Sequence, residues 1–258
     1  MSDALDFSGQ VVLVTGGGKG VGRGISQRFL EQGAEVIICG REAPAELPRQ
    51  GTREAWFVPC DVRDFAQLQA LLAAIDERFG RLDVLVNNAG GAPHADAASA
   101  SPRFSEAIIR LNLLAPLNLC QLANQRMQAQ ANGGAIINIC SVSAIRPSPG
   151  TAAYGAAKAG LINLSHSLAV EWAPKVRINS VIGGLIQTEQ AHLHYGDEAG
   201  LERVARTIPL GRLALPRDIA DACLFLASPL AAHVSGAELA VHGGGERPGF
   251  LDAATART

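Results

Sequence analysis

The chain has 258 residues, a formal net charge of −2, 48% apolar residues and only 5% aromatic ones. That length suits one large α/β domain with a sizeable buried core. Near-neutral charge and few aromatic rings argue against nucleic acid or an anionic membrane surface as a partner.

In chain order, the apolar run VVLVT at Val11–Thr15 predicts a first strand that stops at a glycine cluster. Val21, Ile25 and Phe29 then mark one face of a helix over 21–32, closed by Gly33. Strands are predicted at 36–39 and 56–60. Between them, Pro44, Pro48 and Gly51 leave any helix in 42–54 short or absent. Leu68, Leu71, Leu72, Ile75 and Phe79 predict a helix over 65–79, ended by Gly80. There follow a strand at 84–86, a long helical pattern over 104–130, a strand at 135–140 and a helix over 154–172 stopped by Pro174. A strand at 177–182, a helix over 216–227 with Pro216 in its first turn, and a short strand at 238–242 complete the pattern. Residues 187–208 are polar, contain His192, His194 and Tyr195, and are expected to form a mobile lid.

Strands alternating with helices of this length imply βαβ units and a parallel sheet, and the nearly all-apolar strands imply cover on both faces. The predicted fold is a Rossmann-like, doubly wound α/β sheet of about seven strands with helices on both faces. No repeat or linker divides the chain, so 1–258 is read as one domain, with a core over about 7–244 and a tail over 245–258 on the surface or against a neighbouring subunit. The opening MSDALDFSGQ has no basic region followed by an apolar run, and no apolar stretch reaches the length of a membrane span. The five cysteines, at 39, 60, 120, 140 and 223, lack C-x-x-C or zinc spacing and are expected to be reduced, buried thiols of a cytoplasmic protein.

The chemistry concentrates in SVSAIRPSPGTAAYGAAK, residues 141–158. Tyr154 and Lys158 stand four apart, so a helix puts them on one face. An ammonium beside a phenol favours the phenolate and turns tyrosine into a usable general acid–base. Ser141, thirteen residues before Tyr154 across a Pro/Gly-rich loop, is able to fold back toward the phenol. Upstream, Thr15-Gly16-Gly17-Gly18-Lys19-Gly20-Val21-Gly22 joins the first strand to the first helix. Glycines there let the backbone approach a pyrophosphate held by the helix N-terminus. The spacing matches neither G-x-G-x-x-G nor a Walker A loop. The second strand ends Cys39-Gly40-Arg41, with no carboxylate at its tip. Arg41 and Lys19 therefore favour NADP(H) over NAD(H), the alternative being two solvated surface charges, with Glu42 a counterweight.

Taken together, Thr15-Gly16-x-x-x-Gly20-x-Gly22, Asn87-Asn88-Ala89-Gly90, Ser141 and Tyr154-x-x-x-Lys158 resemble the single-domain branch of the short-chain dehydrogenase/reductase superfamily. The resemblance runs from about residue 7 to 244. It implies Tyr154 as general acid–base, Lys158 as the group lowering its pKa and holding the nicotinamide ribose, and Ser141 as the hydroxyl on the substrate oxygen. Asn112 matches a helix asparagine that completes a proton relay through water to Lys158. Asp61 and Val62 match a pair that meets the adenine, although a helix N-cap also accounts for Asp61. Asn88, Ala89 and Gly90 would line the cofactor cleft beside Gly16, Gly18, Gly20, Val21 and Gly22, while Gly184, Ile186 and Thr188 match the nicotinamide side. One departure stands out: Gly183 replaces the family's usual proline.

The activity this implies is an NADP(H)-dependent oxidoreductase interconverting a secondary alcohol and a ketone, acting on a 3-oxoacyl or 3-hydroxyacyl thioester or a steroid-like substrate. Ser143, His94, Leu185, His192 and Tyr195 are the expected substrate contacts, and no metal is expected. A cofactor-sensing regulator of the same fold is the alternative. The longer epimerase and dehydratase branch would need a further substrate domain. Members of this branch form homo-oligomers, often homotetramers, built on the two long helices and the C-terminal strand.

Overall fold

The computed structural model describes residues 4–253; residues 1–3 and the end of the expected tail, 254–258, lie outside the described residues. Nine strands and nine helices follow one another along them. β1 is Val11–Thr15, α1 Gly20–Glu31, β2 Glu35–Gly40, β3 Arg49–Gln50, β4 Arg53–Glu54, β5 Trp56–Pro59, α2 Phe65–Phe79 and β6 Val84–Asn87. Then come α3 Pro102–Ile109, α4 Ala115–Ala129, β7 Gly134–Ser141, α5 Ala152–Glu171, β8 Val176–Gly183, α6 His192–Tyr195, α7 Glu198–Thr207, α8 Pro216–Ala227, β9 Glu238–Val241 and α9 Phe250–Ala253.

Seven strands form one parallel sheet in the order β5-β2-β1-β6-β7-β8-β9. Period-two alternation sends neighbouring strand residues to opposite faces. Val11 and Leu13 pack with Leu68, Leu72, Leu119 and Leu168 of α2, α4 and α5. Val12 and Val14 pack on the other face with Ile25, Phe29, Ile219 and Leu224 of α1 and α8. The strands therefore lack polar alternation because both faces are covered, as read from the sequence. Chain order reverses between β1 and β6, and the crevice at their C-terminal ends is where an open α/β sheet binds ligand.

Two segments depart from the expectations. The helical pattern over 104–130 is interrupted: α3 passes through a π-helical stretch at Arg110–Leu114 before α4 begins. Such i→i+5 stretches occur frequently at functional sites, and Asn112 lies inside this one. The polar stretch over 187–208 is largely helical, being folded into α6 and α7, with the side chain of Asp197 capping α7 through Gly200 N–H at 2.9 Å. In 42–54 there is no helix, only the β3–β4 hairpin. All five cysteines are free and buried. No helix among the described residues is long and apolar enough to cross a membrane.

Candidate active site

A cleft of about 1100 Å³ runs along the C-terminal edge of the sheet, from Arg41 and Phe57 to Ser141, Tyr154 and Lys158. The glycine loop forms one wall. Thr15 Oγ1 accepts the N–H groups of Asn88 at 3.0 Å and Ala89 at 2.9 Å, and Asn88 Nδ2 donates to Thr15 O at 2.9 Å. The turns after β1 and β6 are thereby tied together. Close approach is built in: a Cβ on Gly22 would lie 2.2 Å from Gly16 O and 2.5 Å from Asn88 Nδ2. Gly22→Ala is therefore expected to push the loop apart, at a cost of about 1–3 kcal/mol of stability. Thermal denaturation with and without nucleotide checks this; an unchanged Tm and unchanged nucleotide affinity would remove the loop's close packing from the account.

Beneath the cleft, a buried polar chain crosses the sheet. Asn87 Nδ2 donates to Asn138 Oδ1 at 2.8 Å, Asn138 Nδ2 to Ser165 Oγ at 2.9 Å, and Ser180 Oγ to Ser165 Oγ at 3.1 Å. Each partner satisfies the next, as buried polar groups require. This network ties α5, the helix bearing Tyr154 and Lys158, to three central strands.

Ser141 ends β7 and its Oγ accepts the N–H of Ser143 at 3.2 Å, which fixes the turn. The Ser141 side chain lies close enough to the Tyr154 phenol to pull its pKa down. Lys158 is buried, with Nζ donating to Ile139 O at 2.8 Å and lying 5.8 Å from the centre of the Tyr154 ring. Burial raises the Tyr154 phenol above its ordinary pKa against the pull of Ser141, and burial lowers the Lys158 ammonium. Desolvation here opposes both charged forms, the phenolate and the ammonium.

Asn112 is fully buried. Its Oδ1 accepts Gly91 N–H at 2.8 Å, and its Nδ2 donates to Gly91 O at 3.0 Å and Ile108 O at 2.9 Å. A Cβ on Gly90 would stand 2.7 Å from Asn112 Oδ1 and 3.3 Å from Lys158 Nζ, so both side chains lie against Gly90. Ser141, Tyr154 and Lys158, drawn from β7 and α5, line one end of the cleft, and Asn112, from the π stretch, is buried behind Gly90 and Gly91 outside the lining.

At the other end the cleft is lined by Gly16, Gly18, Lys19, Gly20, Val21, Gly22 and Arg41, with Asn88, Ala89, Gly90, Gly184, Ile186 and Thr188 between. Asp61 and Val62 are not among its lining residues. Asp61 is paired with Arg63 at 2.6 Å, which holds its carboxyl down at about 2, and the cap of α2 is Asp64, accepting Ala66 N–H at 2.9 Å. Ser143, His94, Leu185, His192 and Tyr195 also stand outside the lining. Ser143 joins a hydroxyl chain with Ser148 at 3.0 Å, and Ser148 meets Thr151 at 2.7 Å. The His94 ring packs on Gly150, and Leu185 O accepts Ala214 N–H at 2.9 Å. The Arg146–Glu246 pair, 2.5 Å apart, is near enough to Tyr195 to act on its phenol.

Contacts that sequence reasoning did not find are the backbone ones of Gly91 to Asn112 and of Ile139 to Lys158, and that of Glu189, whose Oε1 accepts Gly20 N–H at 2.9 Å. Backbone partners carry no side-chain signature, and Glu189 lies 169 positions from Gly20. Among the described residues, no group of three His, Cys, Asp or Glu side chains is placed to hold a metal ion.

A family model described as "Enoyl-(Acyl carrier protein) reductase" matches residues 16–246. The chain is 37% identical over 253 residues to D-threitol dehydrogenase of Mycolicibacterium smegmatis, covering 95% of this chain and 96% of that protein. It is 36% identical over 242 residues to the 3-oxoacyl-[acyl-carrier-protein] reductase FabG of Chlamydia trachomatis serovar D, covering 91% of this chain and 96% of that one. The solved structure of Thermoplasma acidophilum aldohexose dehydrogenase in ligand-free form superposes with a TM-score of 0.86 at 30% identity, covering 98% of each chain.

Proposed function

The chain belongs to the short-chain dehydrogenase/reductase superfamily and is an NAD(P)-dependent oxidoreductase, and from that premise we propose that it interconverts a secondary alcohol and a ketone with NADP(H) as the preferred cofactor. The observation that carries this reading is that Ser141, Tyr154 and Lys158 line the end of a cleft whose far end is the glycine loop. The residues fit a dinucleotide: the close packing of Gly22 on Gly16 opens the helix N-terminus toward the cleft, and a long channel connects it to the phenol. When bound, the nicotinamide supplies or accepts the hydride.

The chain's own residues handle the proton. Ser141 and Tyr154 direct two hydroxyls toward one substrate oxygen; Ser141 donates a hydrogen bond to it and Tyr154 gives its proton to the carbonyl in reduction, or takes it from the alcohol in oxidation. Lys158 places positive charge beside the phenol and steadies the phenolate as it forms. Asn112 holds the Gly91 backbone through its amide, and the family resemblance gives it a relay through water to Lys158. Lys19 and Arg41 line the adenosine end and form no ion pair among the described residues, which supports recognition of a 2′-phosphate.

For the substrate, the expected acyl thioester is supported by the FabG relative. A second reading, a polyhydroxylated alcohol or sugar, is supported by the polar groups beside the catalytic end: the Ser143–Ser148–Thr151 hydroxyls, Tyr195 and the Arg146–Glu246 pair. The D-threitol and aldohexose dehydrogenase relatives point the same way. Following NADPH absorbance over ketones, acyl thioesters, steroids and sugars separates these readings; cofactor binding without turnover on any class would favour the regulator. We place the protein in the cytoplasm as a homotetramer, with exposed Phe65, Leu114 and Val170 near the expected helix interface; light scattering tests the latter.

A further inference from the structure

The most unusual contact in the cleft joins the lid segment to the glycine loop. Glu189 Oε1 accepts the backbone N–H of Gly20, the first residue of α1, at 2.9 Å. The helix has no other anion at that end: its N-cap residue Lys19 makes no side-chain cap, and its first turn has no acidic residue. Free N–H groups and the positive dipole end favour an anion there. Here the chain supplies one from its own lid segment. The two segments are in ordinary contact, since a Cβ on Gly20 would lie 3.7 Å from Thr188 Cγ2 and 4.0 Å from Glu189 Oε1. Both Thr188 and Glu189 line the cleft.

The same helix end is where the pyrophosphate of a dinucleotide is expected, so the inference rests on the cofactor reading above. We infer that Glu189 is an internal stand-in for phosphate, a residue that sets cofactor affinity and release by competing for the N-terminus of α1. A carboxylate and a pyrophosphate at one helix end repel each other, so nucleotide entry requires Glu189 to give up Gly20 or to remain at an electrostatic cost. Giving it up moves the lid. Glu189 O lies 3.2 Å from His192 Nδ1, and Thr188 O accepts Ala191 N–H at 3.0 Å, so the residue is the stem from which α6 starts. Entry of nucleotide and displacement of the lid are then one event. Lys19 and Arg23 flank the loop, and neither forms an ion pair with Glu189 among the described residues.

The test is a titration of the full chain, wild type against Glu189→Gln and Glu189→Ala, with NADPH, NADH and adenosine, read by calorimetry. Glu189→Gln keeps an acceptor for Gly20 N–H and removes only the charge, so it separates competition from folding. Both variants are expected to bind the dinucleotides about three- to tenfold more tightly, most clearly at low salt, with adenosine affinity unchanged because it has no pyrophosphate. Unchanged or weaker dinucleotide binding would overturn the inference and make Glu189 a clamp. A gain extending equally to adenosine would also overturn it. If neither wild type nor variant binds any nucleotide, the cofactor reading itself falls and this inference with it.

Discussion

Tyr154→Phe is expected to lose about 10²–10⁴-fold in turnover while leaving dinucleotide affinity within about twofold. The substitution removes one oxygen. It leaves the ring packed beside Lys158 Nζ, leaves Lys158 bonded to Ile139 O, and leaves the glycine loop untouched. Binding that does not involve the phenol therefore survives, whereas the proton-transfer group is gone. Single-turnover rates beside a nucleotide titration measure the two separately. Substantial residual turnover would remove Tyr154 from the central role. The pH profile supplies an independent check. Burial raises the Tyr154 pKa, so the phenol stays protonated at neutral pH. Reduction needs that proton and is expected to hold at neutral pH and fall as pH rises through the phenol's pKa. Oxidation needs the phenolate and is expected to climb with pH over the same range. A profile in which both directions fall together in alkali would point to a different base.

The sequence was informative where one residue type has one structural meaning. Apolar runs found the seven sheet strands to within a residue or two, because strands covered on both faces leave no polar alternation to misread. Gly80, with φ of 66°, closed α2 at the residue expected, because that backbone conformation suits glycine. Periodicity failed where its period changes. The π stretch over Arg110–Leu114 keeps an apolar pattern that reads as ordinary helix, so Asn112 was found only through resemblance. α7 was missed because its apolar face is short, with Leu201, Val204 and Ala205 only half-buried, inside an otherwise polar stretch. Within the site, the meeting of Ser141, Tyr154 and Lys158 in one cleft was legible from spacing, while the balance of desolvation against charge depends on burial, which spacing does not report. Asp61 shows the limit of local reading: Arg63, two residues on, claims its carboxylate and leaves Asp64 to cap the helix.

Arg41→Asp is expected to shift the NADPH/NADH preference toward NADH by about ten- to hundredfold, the range of a charge-assisted hydrogen bond lost and a repulsion gained. Arg41 follows β2 at the end of the cleft proposed to hold adenosine and is exposed, so its loss removes no packing and Tm is expected to hold. Its charge reaches into this corner, since it contributes to lowering the Asp61 carboxyl, yet it forms no ion pair among the described residues. A guanidinium in that position is available to a 2′-phosphate, and an aspartate there would instead accept from a ribose 2′-hydroxyl. Arg41→Ala separates the two halves of the effect: it is expected to weaken NADPH binding without improving NADH. Lys19, also exposed on the cleft wall, sets the ceiling on the switch, because it still attracts phosphate after Arg41 is gone. The double variant Lys19→Ala with Arg41→Asp is then expected to move further than Arg41→Asp alone. The ratio of kcat/KM for the two cofactors, measured at fixed ionic strength, decides it. An unmoved ratio would mean that the cation at the end of β2 faces water rather than phosphate, and that Glu42 or Asp61 sets the preference in its place.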